Sequence, residues 1–145
     1  MVPKAWIWRC KISTTEENAR EIRILLVDDE IDITLTLKIA LEQSGFFQVE
    51  AFYESVLALS RFKAGVYDLA ILDIKMPEMD GFELYRKLRE IDDKLKICFL
   101  TAAELGHYRE TDSDIMDELG KDYFVAKPVD IIDLIDRLKV ILSQK

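Results

Sequence analysis

A chain of 145 residues, 50 % hydrophobic and 33 % charged, suffices for one domain with a real core and needs neither disulfides nor a structural metal to fold. Its formal charge of −8 argues against a phosphate-backbone partner, which requires a concentrated basic face, so no direct nucleic-acid partner is expected. Two cysteines, Cys10 and Cys98, and one histidine, His107, leave little material for a zinc cluster or a histidine triad, and this cysteine usage predicts a reduced, cytoplasmic protein.

Residues 1–21 stand apart from the rest of the chain. Trp6, Trp8, Cys10 and Ile12 alternate with period two and lead into the polar run STTEENARE, so the stretch reads as an N-terminal extension, either a loose arm or an added strand. Arg9 and Lys11 interrupt it before a signal-peptide core could form, and no run approaches the ~20 apolar residues of a membrane span. The domain proper is read as residues 22–145.

Residues 22–27 (IRILLV) form a nearly continuous apolar run, as in a strand buried on both faces, and Asp28, Asp29 and Glu30 end it. Residues 31–41 are ambiguous: their apolar positions alternate as in a strand, yet a helix would place Ile33, Leu37, Ala40 and Leu41 on one stripe ahead of a stop at Gly45. A second strand is predicted at 47–52, a second helix at 55–62 ending near Gly65, and a third strand at 68–72. Next comes the stretch DIKMPEMDG, residues 73–81, whose Pro and Asp-Gly turn are expected to stand Asp73 on a surface edge. Phe82, Tyr85 and Leu88 make a helical stripe, and residues 96–100 (KICFL) a fourth strand that stops at Thr101. Ile115, Met116 and Leu119 have helical spacing, residues 123–126 read as a fifth strand, and Lys127-Pro128 as a turn. Ile131, Leu134, Ile135, Leu138, Ile141 and Leu142 make the cleanest amphipathic helix, with Asp130 as its N-cap and Asp133 in its first turn.

Strands alternating with helices imply βαβ units, hence an α/β fold with a five-stranded parallel sheet and helices on both faces. Ligands in such folds collect beyond the carboxyl ends of the strands. Asp28 and Asp29 come after the first strand, Asp73 after the third, Thr101 after the fourth and Lys127 after the fifth, so five chemistry-bearing residues fall at one edge. Taken singly each has an ordinary explanation, as a helix cap or a solvated side chain. Together, three neighbouring carboxylates call for a cation, and hard oxygen donors suit Mg²⁺ or Mn²⁺. Lys127 would add positive charge and Thr101 a hydroxyl donor around a transferring phosphoryl group, leaving Asp73 as the nucleophile.

The motifs LLVDDE (25–30), ILDIKMPEMDG (71–81), LTA (100–102) and FVAKP (124–128) resemble those of receiver domains of two-component response regulators, over about residues 22–143. The resemblance implies a flavodoxin-like, doubly wound fold and makes residues 31–41 a helix. It implies that Asp73 is the phospho-acceptor, that Asp29 ligates Mg²⁺ directly with Asp28 assisting, and that the Lys75 backbone carbonyl is a further ligand. Thr101 would be the switch hydroxyl, Lys127 the phosphoryl-contacting lysine, and Phe124 the aromatic that turns inward on activation, without the hydroxyl of a tyrosine. The implied partners are a histidine kinase or phosphotransfer protein and a downstream protein target, met by the fourth helix, fifth strand and fifth helix, a face through which a homodimer could also form. Such a protein catalyses its own phosphorylation and dephosphorylation and is not a conventional enzyme; with one helix after Lys127-Pro128, a regulator without an output domain is expected. The Lys75 side chain, two residues past Asp73, is expected to influence the lifetime of the phosphoryl group.

Three other classes fit less well. An aspartate-based phosphatase would place a second acid two residues after the nucleophile, where this chain has Lys75. A flavodoxin-like nucleotide binder would want a Gly/Ser/Thr-rich loop in place of Asp28, Asp29 and Glu30, and a pseudo-receiver would have a broken acid set.

Overall fold

Short strands that are apolar at nearly every position need a sheet covered on both faces. The computed structural model, which describes residues 21–102, 114–115 and 117–144, has that architecture. In chain order it comprises β1 (Ile22–Val27), α1 (Ile31–Gln43), β2 (Phe47–Phe52), α2 (Ser55–Arg61), β3 (Leu69–Asp73), α3 (Gly81–Ile91), β4 (Lys96–Thr101), β5 (Phe124–Ala126) and a closing helix, α5 (Ile131–Ser143). Residues 114–115 and 117–119 are helical and are called α4, and a 3₁₀ turn at Lys121–Tyr123 leads into β5. The strands are parallel in the order β2-β1-β3-β4-β5.

Alternation along each strand feeds two cores. Ile24 and Leu26 of β1, Ile71 of β3 and Cys98 and Leu100 of β4 meet Leu37 and Leu41 of α1 and Leu134, Leu138 and Ile141 of α5. Leu25, Val27, Leu72 and Phe99 point the other way, onto Ala58 of α2, Phe82 and Leu88 of α3, and Ile115. The strand order reverses between β1 and β3, and register brings their ends level: Val27 opposes Leu72, Asp73 opposes Leu100, and Thr101 opposes Ala126. The crevice where ligands collect in doubly wound sheets therefore opens directly above Asp28 and Asp73.

The ambiguous residues 31–41 are helical, and the helix continues to Gln43. Its buried stripe is Thr34, Leu37 and Leu41, with Ile33 and Ala40 only half-buried. Thr34 can take a core position because its hydroxyl donates within reach of the carbonyls of Asp28 (3.0 Å) and Glu30 (2.8 Å). Five boundaries differ from the expected ones by one residue: α2 ends at Arg61 and β3 starts at Leu69, and three more lie near the site. β3 ends at Asp73 itself, β4 includes Thr101, and Tyr123 belongs to the 3₁₀ turn, with β5 beginning at Phe124. Asp80-Gly81 begins α3 instead of closing a turn: the Asp80 side chain caps the helix by accepting from the Glu83 N–H at 2.8 Å. Asp130 caps α5 as expected, accepting from Ile132 and Asp133. The alternation at Trp6 to Ile12 and the helical position of Met116 lie outside the described residues.

One rim of the sheet is blocked at its middle by side chains. On β2 the Val49 carbonyl accepts from Lys38 Nζ (2.7 Å) and the Val49 N–H donates to Glu42 Oε2 (3.2 Å), while Lys38 and Glu42, one turn apart on α1, lie 3.4 Å from each other. An i,i+4 pair thus occupies the outward backbone groups of Val49, in the middle of β2, where an additional strand would otherwise bond.

Candidate functional site

The site grows from three strand ends. Asp28 comes directly after β1 and is fully buried; its Oδ1 accepts the Glu30 N–H at 3.0 Å, which fixes the turn into α1. Asp29, beside it, is exposed. Asp73 is the last residue of β3 and only 5 % exposed, so the acid expected on a surface edge lies at the floor of the crevice. The chain leaving β3 is pinned below it: the Ile74 N–H donates to Leu100 O (3.1 Å) and the Gly81 N–H to Ile74 O (2.7 Å). Gly81 is required there, because a Cβ would collide with the Asp73 carbonyl oxygen.

Carboxylate oxygens of Asp28, Asp29 and Asp73 all lie within 4.8 Å of one another. Lys127, placed just past β5 by a backbone bond from its N–H to Thr101 O (2.8 Å), turns its Nζ into this group. The ammonium is 2.9 Å from Asp28 Oδ2, 3.0 Å from Glu30 Oε1 and 3.4 Å from Asp73 Oδ1. Burial alone would lower its pKa, but the carboxylates of Asp28 and Glu30, with Asp73 behind them, hold the ammonium above its ordinary range. Asp73 moves upward for two reasons. Burial, and then the neighbouring Asp28 charge, push its carboxyl up to about 7 against the opposing pull of Lys127.

These residues fit a hard divalent cation. Three carboxylates converge with a single ammonium among them, and hard carboxylate oxygens gathered this closely suit such an ion.

The five residues singled out from the strand ends are thus all at one edge, with Asp28, Asp29, Asp73 and Lys127 in one cluster and Thr101 buried at the end of the adjoining β4. Lys75 is exposed two residues past Asp73. Phe124 is buried on the far side of the sheet end, stacked on Phe99 with ring centres 5.2 Å apart and 6.4 Å from Phe82. Glu30 is a member of the site that strand-end position alone does not reveal. It sits in the same acidic triplet as Asp28 and Asp29, and its role depends on a lysine 97 residues further along the chain.

A family model for the response regulator receiver domain matches residues 24–139. The transcriptional regulatory protein TrcR of Mycobacterium tuberculosis is 34 % identical over 128 residues, which make up 85 % of this chain and 46 % of that protein. The chain spans about half the length of the curated relatives it matches. Among solved structures, a CheY-like receiver domain protein from Methanospirillum hungatei aligns with a TM-score of 0.72 at 31 % identity, over 85 % of this chain and 94 % of that one. The response regulator TrrA of Thermotoga maritima, solved in complex with Mg²⁺-BeF, aligns with a TM-score of 0.69 at 35 % identity, over 83 % of this chain and 98 % of that one.

Proposed function

The chain belongs to the response regulator receiver domain family of two-component systems, and from that premise we propose that it accepts a phosphoryl group on Asp73 and passes the change to a partner through its β5–α5 face. The observation that carries this reading is the cluster itself: a buried strand-end carboxylate, two further aspartates within 4.8 Å, and an ammonium 3.4 Å from the acceptor oxygen.

The donor in this reading is the phosphorylated histidine of a kinase or phosphotransfer protein. An Asp73 oxygen attacks phosphorus, the P–N bond breaks, the histidine leaves with the electron pair, and an acyl phosphate remains. Lys127, already drawn toward Asp73, meets the negative charge of the arriving group, and it can do so because Asp28 and Glu30 hold it in the crevice. The Thr101 hydroxyl, at the end of the adjacent strand, is positioned to approach the new phosphoryl oxygens. Mg²⁺ or Mn²⁺ held by Asp28, Asp29 and Asp73, with the Lys75 carbonyl as a further oxygen donor, would supply the neutralising charge that lets an anionic phosphoryl group approach three carboxylates. Phe124 links the site to the outside: it packs on Phe99 one residue from Leu100, the β4 partner of Asp73, so movement of Thr101 alters its packing and hence the surface of β5, α4 and α5.

Incubation with Mg²⁺ and a small phosphodonor tests the assignment. The chain should gain the mass of one phosphoryl group in a form that hydroxylamine removes, and Asp73→Asn should gain none. A hydroxylamine-resistant adduct, or full labelling of Asp73→Asn, would exclude the aspartyl phosphate.

A further inference from the structure

Lys127 has three carboxylate neighbours, and they differ in what else they must do. Asp28 Oδ2 and Asp73 Oδ1 lie 2.9 and 3.4 Å from its Nζ and belong to the trio of aspartates that suits a hard divalent cation, whereas Glu30, 3.0 Å away, stands outside that trio. Glu30 is also spared at the start of α1. It occupies the N-cap position, yet its side chain makes no capping hydrogen bond, unlike those of Asp80 and Asp130 at the starts of α3 and α5. Its backbone does the fixing instead: the N–H donates to Asp28 Oδ1 (3.0 Å), and the carbonyl accepts from the Thr34 N–H (3.0 Å) and the Thr34 hydroxyl (2.8 Å). The Glu30 side chain is therefore anchored at its root and tied at its tip to a lysine 97 residues away.

Charge gives this arrangement a purpose. A divalent cation at Asp28 and Asp73 competes with the ammonium for the same oxygens, and two positive centres a few ångströms apart in a poorly solvated crevice repel each other. The Lys127 side chain is only 9 % exposed, so an ammonium deprived of Asp28 and Asp73 must either leave the crevice for water or keep another carboxylate. We propose that Glu30 is the positioning residue that retains Lys127: as Asp28 and Asp73 turn to a divalent cation, the ammonium keeps its Glu30 bond and stays beside the crevice, at hand for an anionic phosphoryl group. Partial exposure suits Glu30 to this task. Its side chain is 56 % exposed, so its bond to Lys127 is screened, and the lysine can afterwards shift toward a phosphoryl oxygen. This role rests on the cation reading of the aspartate cluster and goes beyond it, dividing the acids between the cation and the lysine.

Calorimetric titration of the full chain with Mg²⁺ tests it. Glu30→Gln keeps the side-chain length and the backbone bonds at the start of α1. Its Mg²⁺ affinity should fall about threefold to fivefold, the scale of a partly exposed ion pair, because the ammonium then clings to Asp28 and Asp73. In a Lys127→Met background the same substitution should change the affinity by less than about twofold. An equal loss in both backgrounds would show that Glu30 acts on the cation by its charge alone and would overturn the proposal. Lysine acetylation read peptide by peptide is a second measure that needs no Lys127 variant. In the parent, Lys127 should be as protected at saturating Mg²⁺ as in chelating buffer, while in Glu30→Gln added Mg²⁺ should raise its labelling severalfold. Equal labelling of the two chains at saturating Mg²⁺ would overturn the proposal. A parent chain that binds no Mg²⁺ would overturn the cation reading as well, whereas Mg²⁺ binding indifferent to Glu30→Gln would overturn the Glu30 role alone.

Discussion

Lys127 is shared by three carboxylates, and its position shows how the site manages charge before any ligand arrives. Asp73 is where the remaining imbalance appears. Its carboxyl, ordinarily near 3.8, is pushed up to about 7 by burial and then by the Asp28 charge. Between those two values the folded chain keeps a proton that the unfolded chain releases. Without divalent cations, Asp73 therefore makes folding less favourable as pH rises from about 4 through about 7. Asp73→Asn removes this titration. In a chelating buffer the variant should be more stable than the parent at about pH 8, by about 1–2 kcal/mol once screening by Lys127 and solvent is counted, with most of the difference gone by about pH 5. Urea unfolding at the two pH values measures it, and an equal advantage at both would mean that the Asp73 carboxyl does not hold its proton. Site membership is readable from strand-end positions alone for Asp28, Asp29, Asp73, Thr101 and Lys127. The depth of Asp73 is not, because a Pro and an Asp-Gly pair look the same after a buried strand end as after an exposed one.

At the scale of elements, the start of α3 shows how a helix cap and the Asp73 carboxylate share one short connection. Asp80 and Gly81 are neighbours with separable duties: Asp80 satisfies the Glu83 N–H, and Gly81 lets the helix press against the Asp73 carbonyl. Asp80→Ala should cost about 1 kcal/mol, the usual loss of an N-cap, and leave phosphoryl acceptance nearly unchanged. Gly81→Ala should cost about 2 kcal/mol and also slow acceptance, because its Cβ forces β3 and α3 apart at Asp73. Denaturant unfolding and phosphorylation rates of the two variants distinguish these effects; equal losses of rate would show that Gly81 does not position Asp73. Strands are the more legible elements, since a strand buried on both faces leaves an uninterrupted apolar run such as that of β1. Helix α1 is not, because Thr34 takes a core position while Ile31, Leu35 and Ile39 remain exposed, which blurs the helical period into an alternating one.

For the molecule as a whole, two cores separated by one sheet make unfolding a collective event, and Cys98 reports on it. It is fully buried on the α1–α5 side, and burial pushes its thiol up to about 12. In a Cys10→Ser background, Cys98 should react with a thiol reagent on the order of a thousandfold or more slowly than an exposed thiol, at the pace of global opening. Prompt labelling in native buffer would reveal local opening of β4 instead. No helix among the described residues is long and apolar enough to cross a membrane. The Lys38–Glu42 closure of β2 is invisible in the sequence, since it joins a helix face to backbone atoms of a neighbouring strand. Its consequence is one of valence. A sheet open on both sides behaves as a bifunctional monomer, and repeated edge-to-edge addition has no natural end. With Val49 already engaged, a strand adding to β2 must first displace Lys38 and Glu42, which works against repeated edge-to-edge addition.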